Sequence, residues 1–443
     1  MNMKNNKRMI IGAGLTGLSV ARYCTRMGYA FDLCDTRESL GNLAEIQKQF
    51  PQAQVFLGAL DANLLSQYQA LIVSPGIALA EPAIAAARAQ GVAISGDINE
   101  FAKHCTAPIL AITGSNGKST VTTLVGELLN AAGVNTQIGG NIGLPALDLP
   151  KADLYVLELS SFQLETTENL KAKAAVILNL SEDHMDRYSG MDDYLAAKQR
   201  IFQGCEFNIY NRDDSCTLPN AYAALSFGLS APKLGEFGLV KVNGESVIAF
   251  GDTQLVKASE LKIKGTHNLA NVMAALALVK AAGVVFEKVL PALKRFAGLD
   301  FRCQWLGERA GITFYNDSKG TNVGSTLAAL TGLGGEIQGK IWLLAGGDGK
   351  GQDFSPLAQA CQAYAAEVLC YGRDGAQIAQ AVENDVATSV QATLNDAFAR
   401  ALLLAKPGDV IVLSPACASF DQYRNYVHRG EVFTYMVQEA LCH

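Results

Sequence analysis

No apolar run in this sequence reaches the roughly 18 residues of a membrane-spanning helix. None of its 10 cysteines is spaced CxxC with another, and all are scattered through a long chain. They read as reduced thiols of a cytosolic protein and not as a disulfide framework. Charged residues are scarce at 18% against 49% hydrophobic, which excludes long disordered stretches. Lys+Arg number 36 and Asp+Glu 42, a formal net charge of -6. That balance does not suit broad binding to nucleic acid or anionic lipid, though it leaves room for a local anion pocket. Proline is sparse at 12, and the 42 glycines follow no collagen period. Glycine at this level points to strand–helix turns and close backbone approaches to ligands.

The 443 residues exceed one conventional core. At roughly 150 residues per domain, about three domains are expected. Lys4, Lys7 and Arg8 precede the apolar stretch 9–21 in the manner of a signal peptide, but Gly12, Gly14 and Gly17 interrupt it. The reading preferred here is a first strand followed by a helix in a cytosolic protein.

Residues 1–100 alternate apolar strands (8–11, 30–35, 70–73) with helical patterns (15–27, 81–90), which implies a parallel sheet covered on both faces. From 101 to 299 a buried strand is expected at 108–113, and an amphipathic helix at 119–132 with Val121, Leu124, Val125, Leu128, Leu129 and Ala132 on one stripe. Further strands are expected at 154–159 and 174–180, β-hairpins around an Asn-Gly turn at 238–250, and a helix at 267–282. From 300 to 443, strands at 312–315, 340–345, 367–370 and 409–413 alternate with helices that include 321–330 and 392–404.

Between the strand at 108–113 and its helix lies Gly114-Ser115-Asn116-Gly117-Lys118-Ser119-Thr120. Backbone N–H groups and the helix N-terminus there suit phosphate oxygens, Lys118 suits the terminal phosphates, and Ser119 or Thr120 suits magnesium. The strict phosphate-loop pattern wants glycine where this chain has Ile112, and a glycine-rich structural turn is the plainer alternative. Glu158 ends the next strand and fits a magnesium ligand or a satisfied strand-end carboxylate. His184 follows the strand at 174–180 and fits either a second metal ligand or a loop cap, with Asp183 and Asp186 as weaker ligands. Gly12-Ala13-Gly14-Leu15-Thr16-Gly17 matches GxGxxG, with Asp35 closing the second strand. That pattern suits a diphosphate and a ribose, in a nicotinamide dinucleotide or in UDP alike.

Several longer motifs occur in order: ITGSNGKST (112–120), GGNIG (139–143), ELSSFQLE (158–165), LNLSEDHMDRY (178–188), AAKQRIF (196–202), GTHNLANVMAA (265–275), DSKGTN (317–322), GGDGKGQDF (346–354) and SPACASFDQY (414–423). Together they resemble the Mur ligase family from Gly12 to His428. The resemblance implies an α/β fold of three domains: Rossmann-like units at 1–100 and 300–443 around a central P-loop ATPase-type domain at 101–299. The implied activity is ATP-dependent ligation of D-glutamate to UDP-N-acetylmuramoyl-L-alanine, by a cytoplasmic monomer that makes a peptidoglycan precursor. The resemblance places magnesium, or manganese in its stead, on Ser119, Glu158, His184 and a carbamylated Lys198. From its own sequence context Lys198 reads as an ordinary helix-surface lysine. Nucleotide contacts are implied for the loop 114–120 and for Asn268, Asn271, Arg302 and Asp317. Leu15, Thr16, Asp35, Thr36, Arg37, Ser74 and Asn141 are implied for the UDP substrate. Thr321, Lys350, Ser419, Phe420, Tyr426 and His184 are implied for D-glutamate. Where the family carries histidine before its arginine this chain has Phe301, and Phe420 and Tyr426 also depart from the family pattern while keeping an apolar wall.

Overall fold

The computed structural model describes residues 5–442 apart from His184, Asp186, Ala221, Ala223, Ala224, Lys264 and Glu336. Three sheets follow one another along the chain. The first is five-stranded and wholly parallel, in the spatial order Val55–Leu57, Phe31–Asp35, Asn5–Ile11, Tyr68–Val73, Ala93–Ser95. Helix Leu15–Met27 leaves its central strand through the glycine turn and ends at Gly28, whose φ of 69° is the left-handed cap that glycine supplies cheaply.

The second sheet has nine strands. Its parallel centre sets Ile109–Thr113 between Leu154–Glu158 and Ala174–Ile177, every residue of which is buried. Such uninterrupted apolar strands are what a sheet covered on both faces demands. Helix Lys118–Ala131 lays Val121, Leu124, Val125, Leu128 and Leu129 fully into the core, against helix Thr266–Ala281. At the far edge Glu236–Val242 and Glu245–Phe250 form the expected hairpin, with Asn243 and Gly244 at φ 51° and 84° in its turn.

The third sheet has six strands in the order Gln304–Arg309, Ile312–Asn316, Val410–Leu413, Ile341–Gly346, Ala365–Tyr371, Thr388–Val390. Only the first pair is antiparallel. The carboxyl ends of its central strands therefore open on one crevice, as those of the second sheet do. Among the described residues no helix is long and apolar enough to cross a membrane.

The strand expected at 174–180 stops at Ile177. Residues beyond it turn over the phosphate loop, where Asn179 accepts from the Asn116 N–H at 2.8 Å and donates to its carbonyl at 3.0 Å. The helix expected from 321 begins at Val323, with the Asn322 side chain capping it by accepting from Ser325 N–H. Thr321 is thereby left on a loop.

Candidate functional site

The phosphate loop is shaped by two glycines at positive φ, Gly114 at 146° and Gly117 at 83°. A Cβ on Gly117 would stand 2.5 Å from Asn271 Oδ1, so that position is closed to larger residues on two counts. Lys118 folds back over the loop, and its Nζ donates to the carbonyls of Gly114 and Ser115, both at 2.8 Å. Burial lowers its pKa, while Glu158 and Asp183 work in the opposite direction.

Ser119 and Thr120, which sequence alone left as equal candidates for a metal ligand, face different ways. Ser119 Oγ donates to Glu158 Oε2 at 2.6 Å, and Asn141 Nδ2 donates to Glu158 Oε1 at 2.7 Å. Thr120 lines a separate cavity with Asn268 and Asn271. Register explains the first pairing: Ile112 lies beside Glu158 in the sheet, so strand end and helix start meet. The Ser119 hydroxyl and the Glu158 carboxylate are both buried oxygen donors of the kind a hard divalent cation takes. His184 and Asp186 lie outside the described residues.

Lys198 is 1% exposed, far from the surface position its sequence context suggests. Its Nζ donates to Gly114 O at 2.9 Å and Thr113 Oγ1 at 3.3 Å, and stands 4.7 Å from the centre of the Tyr194 ring. Burial, aided by neighbouring Lys118, holds its pKa well below the usual lysine range. A buried amine beside a phosphate loop is chemically competent in its neutral form.

Two cavities flank this centre. One, of about 350 Å³, is lined by Asn116, Gly117, Thr120, Asn268, Asn271, Arg302 and Asp317. Asn271 Nδ2 donates to Asn268 Oδ1 at 3.2 Å, so one helix face presents both amides. Asp317 accepts from Cys303 N–H at 3.1 Å and Ser414 Oγ at 2.7 Å, and burial raises its pKa to about 7. The other cavity, of about 480 Å³, is lined by Ser115–Ser119, Asn141, Glu158, Arg302, Thr321 and Tyr426. Lys350, Ser419 and Phe420 do not line it; Ser419 is buried and Phe420 is largely exposed.

Both cavities are also lined by Lys319 and Ser325, which sequence reading did not single out. Lys319 Nζ stands 3.7 Å from the centre of the Tyr426 ring, and burial beside Arg302 lowers its pKa to about 8. Its place inside DSKGTN was the available signal. Ser325 Oγ donates to Asn116 Oδ1 at 2.7 Å and so ties the third domain to the phosphate loop.

At the first domain Asp35 is held in place: Oδ2 accepts from Ala13 N–H at 2.7 Å, and Arg37 donates through Nε and a terminal nitrogen at 2.7 and 2.8 Å. The Arg37 hydrogen bonds hold its pKa at about 2. Ser74 Oγ lies beside Gly12, donating to its carbonyl at 3.4 Å. Leu15 is 79% exposed, and Thr36 and Arg37 are also exposed at the same strand ends. Asn141 is the one expected UDP-substrate residue that lines the cavity of about 480 Å³. The other six stay with the first sheet.

Three families match successive parts of the chain: the MurD-like N-terminal domain of Mur ligases at 6–96, the Mur ligase middle domain at 112–279 and the Mur ligase glutamate ligase domain at 301–417. The UDP-N-acetylmuramoylalanine--D-glutamate ligase of Pseudomonas aeruginosa is 50% identical over 437 residues, covering 98% of each chain. A pseudomurein peptide ligase type C from Methanothermus fervidus superposes with a TM-score of 0.62 at 17% identity, covering 97% of this chain and 100% of that one. The MurF ligase of Thermotoga maritima in complex with ADP gives a TM-score of 0.59 at 16% identity, covering 100% of this chain and 99% of that one. At such identities these two structures speak for the fold alone.

Proposed function

This chain belongs to the Mur ligase family, and we propose on that premise that it joins D-glutamate to UDP-N-acetylmuramoyl-L-alanine while ATP becomes ADP and phosphate. The observation that carries the reading is the convergence of Lys118, Ser119 and Glu158 from the middle domain with Arg302, Lys319 and Thr321 from the third on one cavity. Phosphoryl transfer and amine attack need such a shared space.

In this reading, residues 1–100 hold the uridine diphosphate through Leu15, Thr16, Asp35, Thr36 and Arg37, with Ser74 further along the substrate. Asn141 receives the muramoyl end. The substrate's terminal carboxylate oxygen attacks the γ-phosphorus of ATP, and ADP leaves. Backbone N–H groups of 117–119 and the Lys118 ammonium stabilise the charge on the transferring group. Asn268, Asn271 and Asp317 hold the nucleoside, and Arg302 supplies a positive fork from across the cleft. The amine of D-glutamate, held by Thr321, Lys350, Ser419, Phe420, Tyr426 and His184, attacks the acyl carbon. The tetrahedral adduct expels phosphate, the nitrogen loses its proton, and the amide remains.

Ser119, Glu158, His184 and Lys198 would hold magnesium, which neutralises phosphate oxygens when bound. A neutral Lys198 amine adds to carbon dioxide and releases a proton, and the resulting carbamate turns a repelling cation into an oxygen ligand. The reading takes the working enzyme to be a monomer, as the family resemblance implies.

Oxygen-18 placed in the terminal carboxylate of the UDP substrate tests the acyl-phosphate route. One labelled oxygen should appear in the released phosphate for each amide formed. Unlabelled phosphate would sink that route.

A further inference from the structure

We propose that Gln352 is a positioning residue for the amino-acid acceptor, holding three loops of the third domain in register through one carboxamide. The proposal rests on the reading of that domain as the D-glutamate site. Strands Ile312–Asn316, Val410–Leu413 and Ile341–Gly346 are neighbours in one parallel array, so their carboxyl ends lie side by side. Each is followed by a loop bearing an acceptor contact of the proposed site: Thr321 after the first, Ser419 and Phe420 after the second, Lys350 after the third.

The half-buried Gln352 side chain bonds to all three loops or their immediate continuations. Its Oε1 accepts from the N–H of Val323, the first residue of the helix that follows Thr321, at 3.1 Å. Its Nε2 donates to the carbonyl of Gly349, next to Lys350, at 2.9 Å, and to that of Ala416, in the Ser419 loop, at 3.5 Å. A first-turn N–H has no partner within its own helix, so Gln352 meets a requirement of the backbone as well as linking the loops.

Two of these loops hold residues other than glycine in left-handed conformations, Lys350 at φ 51° and Ala416 at φ 58°. Such residues persist where their surroundings fix them. Asp348 helps: its backbone exchanges hydrogen bonds of 2.9 and 2.8 Å with Ala418, and its Oδ1 accepts from Lys350 N–H at 3.1 Å. Fully buried Arg429 binds the same loops through carbonyls of Ser318, Gly346, Cys417 and Ala418. On the Thr321 and Lys350 loops Gln352 acts farther from the strand ends than Arg429, next to the proposed acceptor contacts. Its orientation is fixed by chemistry, because Nε2 faces two carbonyl oxygens and Oε1 faces an N–H.

Steady-state kinetics on the full-length enzyme test this with Gln352→Ala and the near-isosteric Gln352→Glu. In Gln352→Ala the KM for D-glutamate should rise about tenfold, the effect of losing one to two net hydrogen bonds. Gln352→Glu should be at least as impaired, since it sets an oxygen against two carbonyls. The KM values for ATP and the UDP substrate, and kcat, should stay within about twofold of wild type. An unchanged D-glutamate KM in both variants would overturn the proposal, as would a parallel rise of all three KM values with a falling Tm. Failure of the wild-type enzyme to use D-glutamate would instead remove the acceptor reading, and it would show before any variant is made.

Discussion

Arg302 donates to Ser119 Oγ at 2.6 Å, linking the start of the third domain to the first turn of the phosphate-loop helix 183 positions away. The same hydroxyl donates to Glu158, so one small side chain joins a guanidinium and a carboxylate from opposite walls of the cleft. With the Ser325–Asn116 bond, this contact marks how the third domain meets the phosphate loop. Arg302→Ala should raise the KM for ATP and lower kcat about tenfold or more, the scale for losing a charge-assisted contact. Calorimetric binding of the UDP substrate should be unaffected. Weakened UDP-substrate binding would place Arg302 elsewhere in the mechanism.

Half-buried Lys118 and buried Lys198 belong to one centre, but different outcomes are expected of them. Lys118→Ala should cut ligation by roughly a hundredfold or more, as the loss of a group that stabilises transferring charge does, and leave UDP-substrate binding intact. Lys198→Arg keeps the positive charge but cannot form a carbamate, and should be similarly inactive. Intact-mass measurement in bicarbonate should show wild type gaining one carbon dioxide, lost on acidification, with no gain in Lys198→Arg. Full activity of Lys198→Arg would exclude a carbamate role.

The helices and phosphate turns of the first two domains were the most legible parts of the sequence. Helix Leu15–Met27 and the stripe on helix Lys118–Ala131 emerged because long periodic segments between glycine turns carry two independent signals. Strands Val55–Leu57, Ala93–Ser95 and Thr388–Val390 did not, since three residues are too few for a period. Thr136–Gly140 was hidden by its two terminal glycines, which look like a turn; Gly140 allows close approach to the Glu158 backbone. The burial of Lys198 was equally hidden. Helix Met191–Gln199 carries no clear apolar face, and only its packing under Thr113 and Gly114 takes that amine from water. Tyr194, four residues earlier on the same helix, was the local clue.

The last two glycines of the first motif should respond differently to a methyl group. A Cβ on Gly17 would overlap the carbonyl oxygen of Gly12, whereas one on Gly14 meets nothing within 4 Å. Gly17→Ala should destabilise by roughly 2 kcal/mol or more and weaken UDP-substrate binding. Gly14→Ala should stay within about 0.5 kcal/mol of wild type. Chemical denaturation measures both, and equal effects would contradict the close packing at Gly17.

Asp317 gives a pH dependence of definite sign. Burial raises its pKa from 3.8 to about 7, so between those values the native state holds a proton that the unfolded chain has released. Stability from this group therefore falls as pH rises from about 4 to about 7 and is level above that. Asp317→Asn has no such proton. The Tm of wild type minus that of the variant should shrink across this window, and a constant difference would refute the assignment. ATP binding should weaken in the variant at every pH, because an acceptor for nucleotide hydroxyls is altered.

The proposed reaction joins one amino acid to one nucleotide-linked substrate in a cleft between the middle and third domains. Product analysis with purified protein, ATP, UDP-N-acetylmuramoyl-L-alanine and, separately, D-glutamate, L-alanine, L-lysine, diaminopimelate or a dipeptide tests it most directly. An amide with D-glutamate is expected, with one ADP and one phosphate released per product and no turnover of the other acceptors. Ligation of a different acceptor, or none with D-glutamate, would contradict the account.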